Sequence, residues 1–220
     1  MRDTIKKTVS QADEDKIKKG FKDILKYGTP LQKKIVRQIQ KSNLLISIGN
    51  VGGSASTGVA DTKATQERID GQSLTETQAL DDIQITLNPG TLATQAGIEG
   101  TLVHETRHAW HQARTISVFS QEDSGSREIK AADIDGFTIE YAATKAYADY
   151  AVNAVKANHY KQEFTNEAVN TLGVAQKSSN GIKVNEAGIR QRLLNAYNVS
   201  ETTRGTTFSQ NWNLRPTKVE

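Results

Sequence analysis

The chain has 220 residues, 36% of them hydrophobic and 24% charged, with a formal net charge of +3; these are the proportions of an ordinary globular domain with room for one sizeable core. No apolar run is long enough to span a bilayer, and the opening MRDTIKKTVSQADEDKIKKG lacks the apolar stretch of a secretory signal, so neither a membrane span nor a signal peptide is expected. With no cysteine, disulfides and thiolate ligands are excluded, which leaves imidazole and carboxylate as the strong metal ligands.

Positive charge is concentrated at one end. Residues 1–41 hold 12 Lys/Arg against 5 Asp/Glu, and the remainder holds 16 against 20. The lysines are not interleaved with aromatics, so no nucleic-acid motif is evident, and solvated helix faces outweigh an anionic partner as their explanation. Residues 1–42 are expected to form a basic helical extension to a domain covering 43–220. Ile17, Phe21, Ile24 and Leu25 recur at helical spacing over about residues 12–26, with Gly28 as the stop. Thr29 before Pro30 is an N-cap followed by a proline suited to the first helical position, and Leu31, Ile35, Val36 and Ile39 give the second helix its apolar face, ending near Ser42.

NLLISIG at 43–49 reads as a strand. DIQITL at 82–87 alternates Ile83, Ile85 and Leu87 with Gln84 and Thr86, the period of a half-buried strand, and NPG ends it. If this second strand lies at the edge of its sheet, it offers main-chain groups to an extended substrate. The polar stretch between the strands is long enough to be a functional or mobile loop unless it hides a short hairpin, and it holds no phosphate-binding glycine pattern. A helix over about 97–115 follows, then an alanine-rich helical stretch over about 127–158. A last helix, capped by Asn185, carries Ile189, Leu193, Leu194 and Tyr197.

The 97–115 helix contains TLVHETRHAWHQAR. At about 100° per residue, His104 and His108 project from one face about 40° apart, with Glu105 beside them. One ion can meet both imidazoles while Glu105 reaches a water, which is the mechanical basis of H-E-x-x-H in metallopeptidases. With four histidines in the chain, the pattern arises by chance in roughly 0.4% of sequences of this composition. Metal binding therefore outweighs a solvated helix that happens to carry two histidines. His111 lies on the ligand face one turn further on, as a substrate contact or, more simply, a solvent-facing histidine. Trp110 points away, toward a core.

On these residues the chain resembles the zincin metallopeptidases, and SREIKAADIDG at 126–136 looks like the second motif of the gluzincin branch, with Glu128 standing 20 positions after His108. The resemblance implies an α+β, helix-dominated zincin-like domain with a small β-sheet beside the H-E-x-x-H helix. It also implies one Zn2+ per chain held by His104, His108 and Glu128, with Glu105 as the catalytic base. Asp133, Asp135 and Glu140 are rival ligands or neighbours of the ligands; on a continuous helix Asp135 shares the face of Glu128 and Asp133 does not. Tyr141, Tyr147 and Tyr150 are candidates for a hydrogen bond to the transition state or substrate, with His159 and Tyr160 weaker.

A narrower likeness covers about residues 25–145, where the order of YGTPLQKKIVRQIQKSNLLISIG, a polar loop, IQITLNPG and TLVHETRHAWH is similar to that in bacterial effector and polymorphic-toxin metallopeptidases, including Rhs-type toxin domains. It implies an endopeptidase made in a bacterial cytoplasm and secreted or injected into a target cell, a protein substrate there, and a cognate immunity protein. The competing classes are a catalytically inactive binding module and a basic helical nucleic-acid-binding protein.

Overall fold

The computed structural model describes residues 9–217; residues 1–8 of the expected basic extension and residues 218–220 lie outside the described part. The architecture is α+β and dominated by helices, with a three-stranded sheet and a separate two-stranded hairpin.

Helix α1 (Gln11–Tyr27) starts at Ser10, whose side chain accepts from the Asp13 N–H, and α2 (Pro30–Ile39) starts at Thr29 with a full capping box to Gln32. Both starts follow from side-chain oxygens satisfying N–H groups that a helix cannot satisfy internally. These helices were expected as an extension. Instead Ile17, Phe21, Ile24, Ile35, Val36 and Ile39 are buried in the same core cluster as the sheet and the central helix. Gly20 brings α1 so close to that helix that a Cβ there would lie 2.8 Å from Leu102 Cδ1. Several of the lysines pair with acids on their own helix face, Lys16 with Asp13, Lys18 with Glu14 and Lys19 with Asp23, as expected of solvated helix faces.

Strand β1 (Leu45–Ile48) is followed by β2 (Ala55–Val59), α3 (Thr62–Gly71) and the short α4 (Glu76–Ala79) before β3 (Ile83–Leu87). The long polar stretch thus contains a strand and two helices whose polar composition hid them. The alternation in β3 holds, with Ile83, Ile85 and Leu87 fully buried and Gln84 and Thr86 half-buried. Its place does not. β3 is the central strand, parallel to β1 and antiparallel to β2, so both of its sides are paired and the edges of the sheet are β1 and β2, which removes β3 as the edge expected for substrate. Gln84 donates to Ser47 Oγ and Thr86 Oγ1, a polar ladder on the sheet's outer face.

The central helix α5 (Gln95–Phe119), capped by Thr94, is buried on nearly every side, which makes it the axis of the fold. After it the expected 127–158 helix is two helices, α6 (Arg127–Ala132) and α7 (Gly136–Lys156). The break has a physical cause in the C-terminal segment. Asp133 accepts from the Ser209 N–H and hydroxyl, Asp135 caps α7 by accepting from the Thr138 N–H at 2.9 Å, and the first N–H groups of α7, at Gly136 and Phe137, donate to the carbonyls of Thr206 and Arg204. Helix α7 lies against α5 through small residues, among them Ala143, Ala148, Ala151 and Ala154, all fully buried.

The remaining elements are α8 (Lys161–Thr165), which runs into a π-helical turn, a hairpin of β4 (Ala175–Ser178) and β5 (Gly181–Val184), α9 (Glu186–Tyr197) and α10 (Phe208–Trp212). Helix α9 is capped by Asn185 as expected, and its first turn passes so near Gly173 that a Cβ on Gly188 would lie 2.0 Å from that backbone carbonyl. Gly188→Ala is therefore expected to destabilise the protein by about 1–3 kcal/mol despite alanine's higher helix propensity. A lowered urea midpoint with unchanged slope is the readout, and a raised midpoint would show that the contact relaxes freely.

Candidate metal centre

His104 and His108 emerge from adjacent turns of α5, and Glu140 faces them from the second turn of α7. Their donor atoms converge: His104 Nε2 and His108 Nε2 are 3.0 Å apart, with Glu140 Oε2 3.6 Å from the first and Glu140 Oε1 3.5 Å from the second. Ligands held tetrahedrally by Zn2+ at about 2.0–2.1 Å stand about 3.3–3.4 Å from one another, so the three groups are already spaced for one ion. Glu140 Oε2 is a buried oxygen with no hydrogen-bond partner, an arrangement that costs free energy unless something cationic satisfies it. Two imidazoles and a carboxylate are also a donor set that zinc accepts in catalytic sites.

The electrostatics agree. Burial opposes a charged imidazole at His108, but the adjoining Glu140 carboxylate outweighs it and raises the group above its ordinary value. Burial likewise works against ionisation of Glu140, and His104 and His108 overcome it, leaving the carboxyl far below the usual carboxylate range. The pocket thus favours an ionised carboxylate facing positive charge.

Glu105, on the same helix and buried, is not among the converging donors and is held by the sheet through one oxygen. Thr57 of β2 donates its hydroxyl to Glu105 Oε2 at 2.6 Å, and the Gln112 amide donates to the Thr57 carbonyl at 3.2 Å. The sheet edge and α5 are therefore tied at the residue expected to act as base.

Comparison with protein-family models, curated proteins and solved structures gives no match. The reading of this site rests on its own geometry.

The structure does not bring Glu128 to the histidines. It lies exposed in the first turn of α6, a place that suits an acid near a helix N-terminus, while Glu140, expected only as a rival, completes the cluster. The helix break explains the difference, because face angles drawn on one continuous helix do not cross residues 133–135. Asp135 is the cap of α7 and pairs with Arg204 at 2.7 Å, and Asp133 holds Ser209; neither belongs to the cluster.

His111 is neither solvent-facing nor a ligand. It is buried beside Trp110, and burial, with Arg107 and His108 nearby, lowers it to about 3, so it stays neutral. Trp110 is partly buried against the core, with the Arg107 guanidinium over its ring.

The expected tyrosines sit elsewhere. Tyr147 is buried against Gly100, Tyr150 donates to Glu99 at 2.8 Å, and Tyr141 lies under Arg190 beside a groove lined by Leu31, Ile35 and Arg107. The phenol that does sense the cluster is Tyr197, the last residue of α9. Desolvation raises it to about 12, with the charges of Glu140 and Glu105 adding to the effect and Arg192 opposing it. Sequence reasoning placed Tyr197 only on an apolar helix face. Its high exposure for a large side chain, 44%, is legible only once α9 is seen to end at the site. Thr57 was missed as well, because nothing in a polar stretch marks a single threonine as a partner of Glu105.

Proposed function

We propose that the chain is a zinc-dependent endopeptidase, with His104, His108 and Glu140 as the metal ligands and Glu105 as general base. The observation that carries this reading is the convergence of two imidazoles and a carboxylate at near-tetrahedral spacing, one oxygen of that carboxylate having no hydrogen-bond partner, with a second carboxylate, Glu105, on the H-E-x-x-H helix. A zinc ion there would supply Lewis acidity toward the scissile carbonyl. Glu105, its orientation fixed by Thr57, takes the proton of the attacking water and passes it to the leaving amine. Tyr197, at the end of α9 and coupled to Glu140, donates its hydroxyl to the carbonyl oxygen as negative charge develops.

Substrate lies along β2. The Ser54 carbonyl and the Ala60 N–H bond toward β3, so by the alternation of an antiparallel pair the main-chain groups of Ala55 and the N–H of Thr57 turn outward, while the Thr57 carbonyl is taken by the Gln112 amide. An extended segment of a protein adds to that edge, close to Glu105. The likeness to effector and toxin metallopeptidases supports delivery into a target cell, where the protein substrate resides, with an immunity protein guarding the producer. Among the described residues no helix is long and apolar enough to cross a membrane.

Two measurements test this reading. Hydrolysis of an unfolded protein substrate should cease on chelation and return with Zn2+; hydrolysis that survives complete metal removal overturns it. Tyr197→Phe, which removes only the hydroxyl, is expected to lower kcat by about 10²–10³-fold with little change in KM, as for loss of a single oxyanion donor. An unchanged kcat would remove Tyr197 from the mechanism.

A further inference from the structure

A second convergence of ligand-type side chains lies away from the first. Asp23 of α1, Glu99 in the second turn of α5 and His159 just beyond α7 bring their donor atoms within 4.8 Å of one another. His159 Nε2 is 2.8 Å from Glu99 Oε2 and 4.0 Å from Asp23 Oδ2. The imidazole is well fixed. Its ring stacks on Tyr27 at 4.1 Å between centroids, the backbone N–H of His159 donates to the Ala154 carbonyl, and the residue stands between two left-handed residues, Asn158 and Tyr160.

Glu99 is the unusual member. Its side chain is wholly buried, Tyr150 donates to Oε2, and Oε1 has no hydrogen-bond partner. Burial raises this carboxyl to about 8, with the Tyr150 hydrogen bond opposing and the neighbouring Asp23 carboxyl reinforcing the shift. A carboxyl with an orphaned oxygen, facing a second carboxylate and an imidazole, is an expensive arrangement for a core that could have been built of apolar groups.

We propose that Asp23, Glu99 and His159 form a second divalent-cation site, structural in role, taking a nitrogen- and oxygen-binding transition ion such as Zn2+. One imidazole and two carboxylates suit such an ion. The three ligands come from α1, from α5 and from the residue after Ala157–Asn158 at the end of α7, so the ion clamps the first helix onto the pair that carries the catalytic cluster. Binding engages Glu99 through Oε2, the oxygen that stands 2.8 Å from His159 Nε2. Lys19, now 2.5 Å from Asp23 Oδ2 and also donating to the Tyr160 hydroxyl, has a half-exposed side chain that can turn to solvent. The proposal does not depend on the peptidase reading.

The test is titration of the full chain with Zn2+, read by elemental analysis after gel filtration and by the ring 15N resonances of its four histidines. Two zinc equivalents are expected, with the His159 ring shifting together with those of His104 and His108. In Glu140→Ala the His159 shift persists with one equivalent. Glu99→Gln and His159→Gln, with folding checked by circular dichroism, each lose one equivalent and keep the His104 and His108 shifts. The wild-type spectra decide the matter even if a variant fails to fold: a His159 ring unmoved at two equivalents of Zn2+ overturns this site, whether or not the first cluster binds. Shifts at His159 alone uphold it and overturn the metal ligands proposed for the peptidase.

Discussion

Glu105→Gln is expected to reduce hydrolysis of a protein substrate by about 10²–10⁴-fold, the usual contribution of a positioned general base, while zinc content stays as in the wild type. The amide keeps the size of the carboxylate and can still accept the Thr57 hydroxyl through its oxygen, so the fold around β2 and α5 is retained. The lost function is proton transfer, and the deficit should fall on kcat, at about 2.7–5.5 kcal/mol of barrier. Loss of zinc with the substitution would show that Glu105 is a ligand and would exchange its role with Glu140. Wild-type activity would exclude it as the base.

Glu140→Ala should lose both activity and the zinc held by the two histidines, whereas Glu128→Ala should lose neither. Glu140 is the only carboxylate among the described residues that meets His104 and His108 at ligand spacing, and Glu128 is exposed on a separate helix. Two imidazoles alone leave a zinc site one protein ligand short of the three typical of catalytic centres. Measuring zinc content and turnover for the two variants side by side separates the alternatives. Retention of both by Glu140→Ala, with loss in Glu128→Ala, would require α6 to rearrange around the ion and would overturn the assignment.

The contrast between these two glutamates shows how far the sequence could be read. His104, His108 and Glu105 are legible because an uninterrupted helix converts spacing into direction, and α5 is uninterrupted over the motif. The same conversion fails for the third ligand, since its direction depends on where α7 begins. A start signal was present in Asp135, followed three positions later by the Thr138 N–H it caps, and placing a helix start there puts Glu140 in its second turn. The competing pattern of small residues at helical spacing favoured a single long helix. The alternation of β3 was legible for the same reason as α5, a strict local period. Its central position was not, because pairing order depends on β2, whose sequence ASTGV is too polar and too short to announce a strand. Tyr197 joins the site only through the packing of α9, which no local pattern encodes.

The close approach of α1 to the central helix also decides how much of the chain a working fragment needs. At Gly20 the two helices leave no space for even a methyl group, with Leu102 and Ile98 filling the gap, and those residues lie on the helix that carries both histidines of the candidate metal cluster. A fragment trimmed to begin at Asn43, where composition alone would draw a boundary, strips the back of that helix and exposes the apolar residues now covered by Ile17, Phe21 and Ile24. The first helix is a buttress behind the candidate metal cluster, so a fragment that keeps that cluster supported retains α1 with its Ser10 cap.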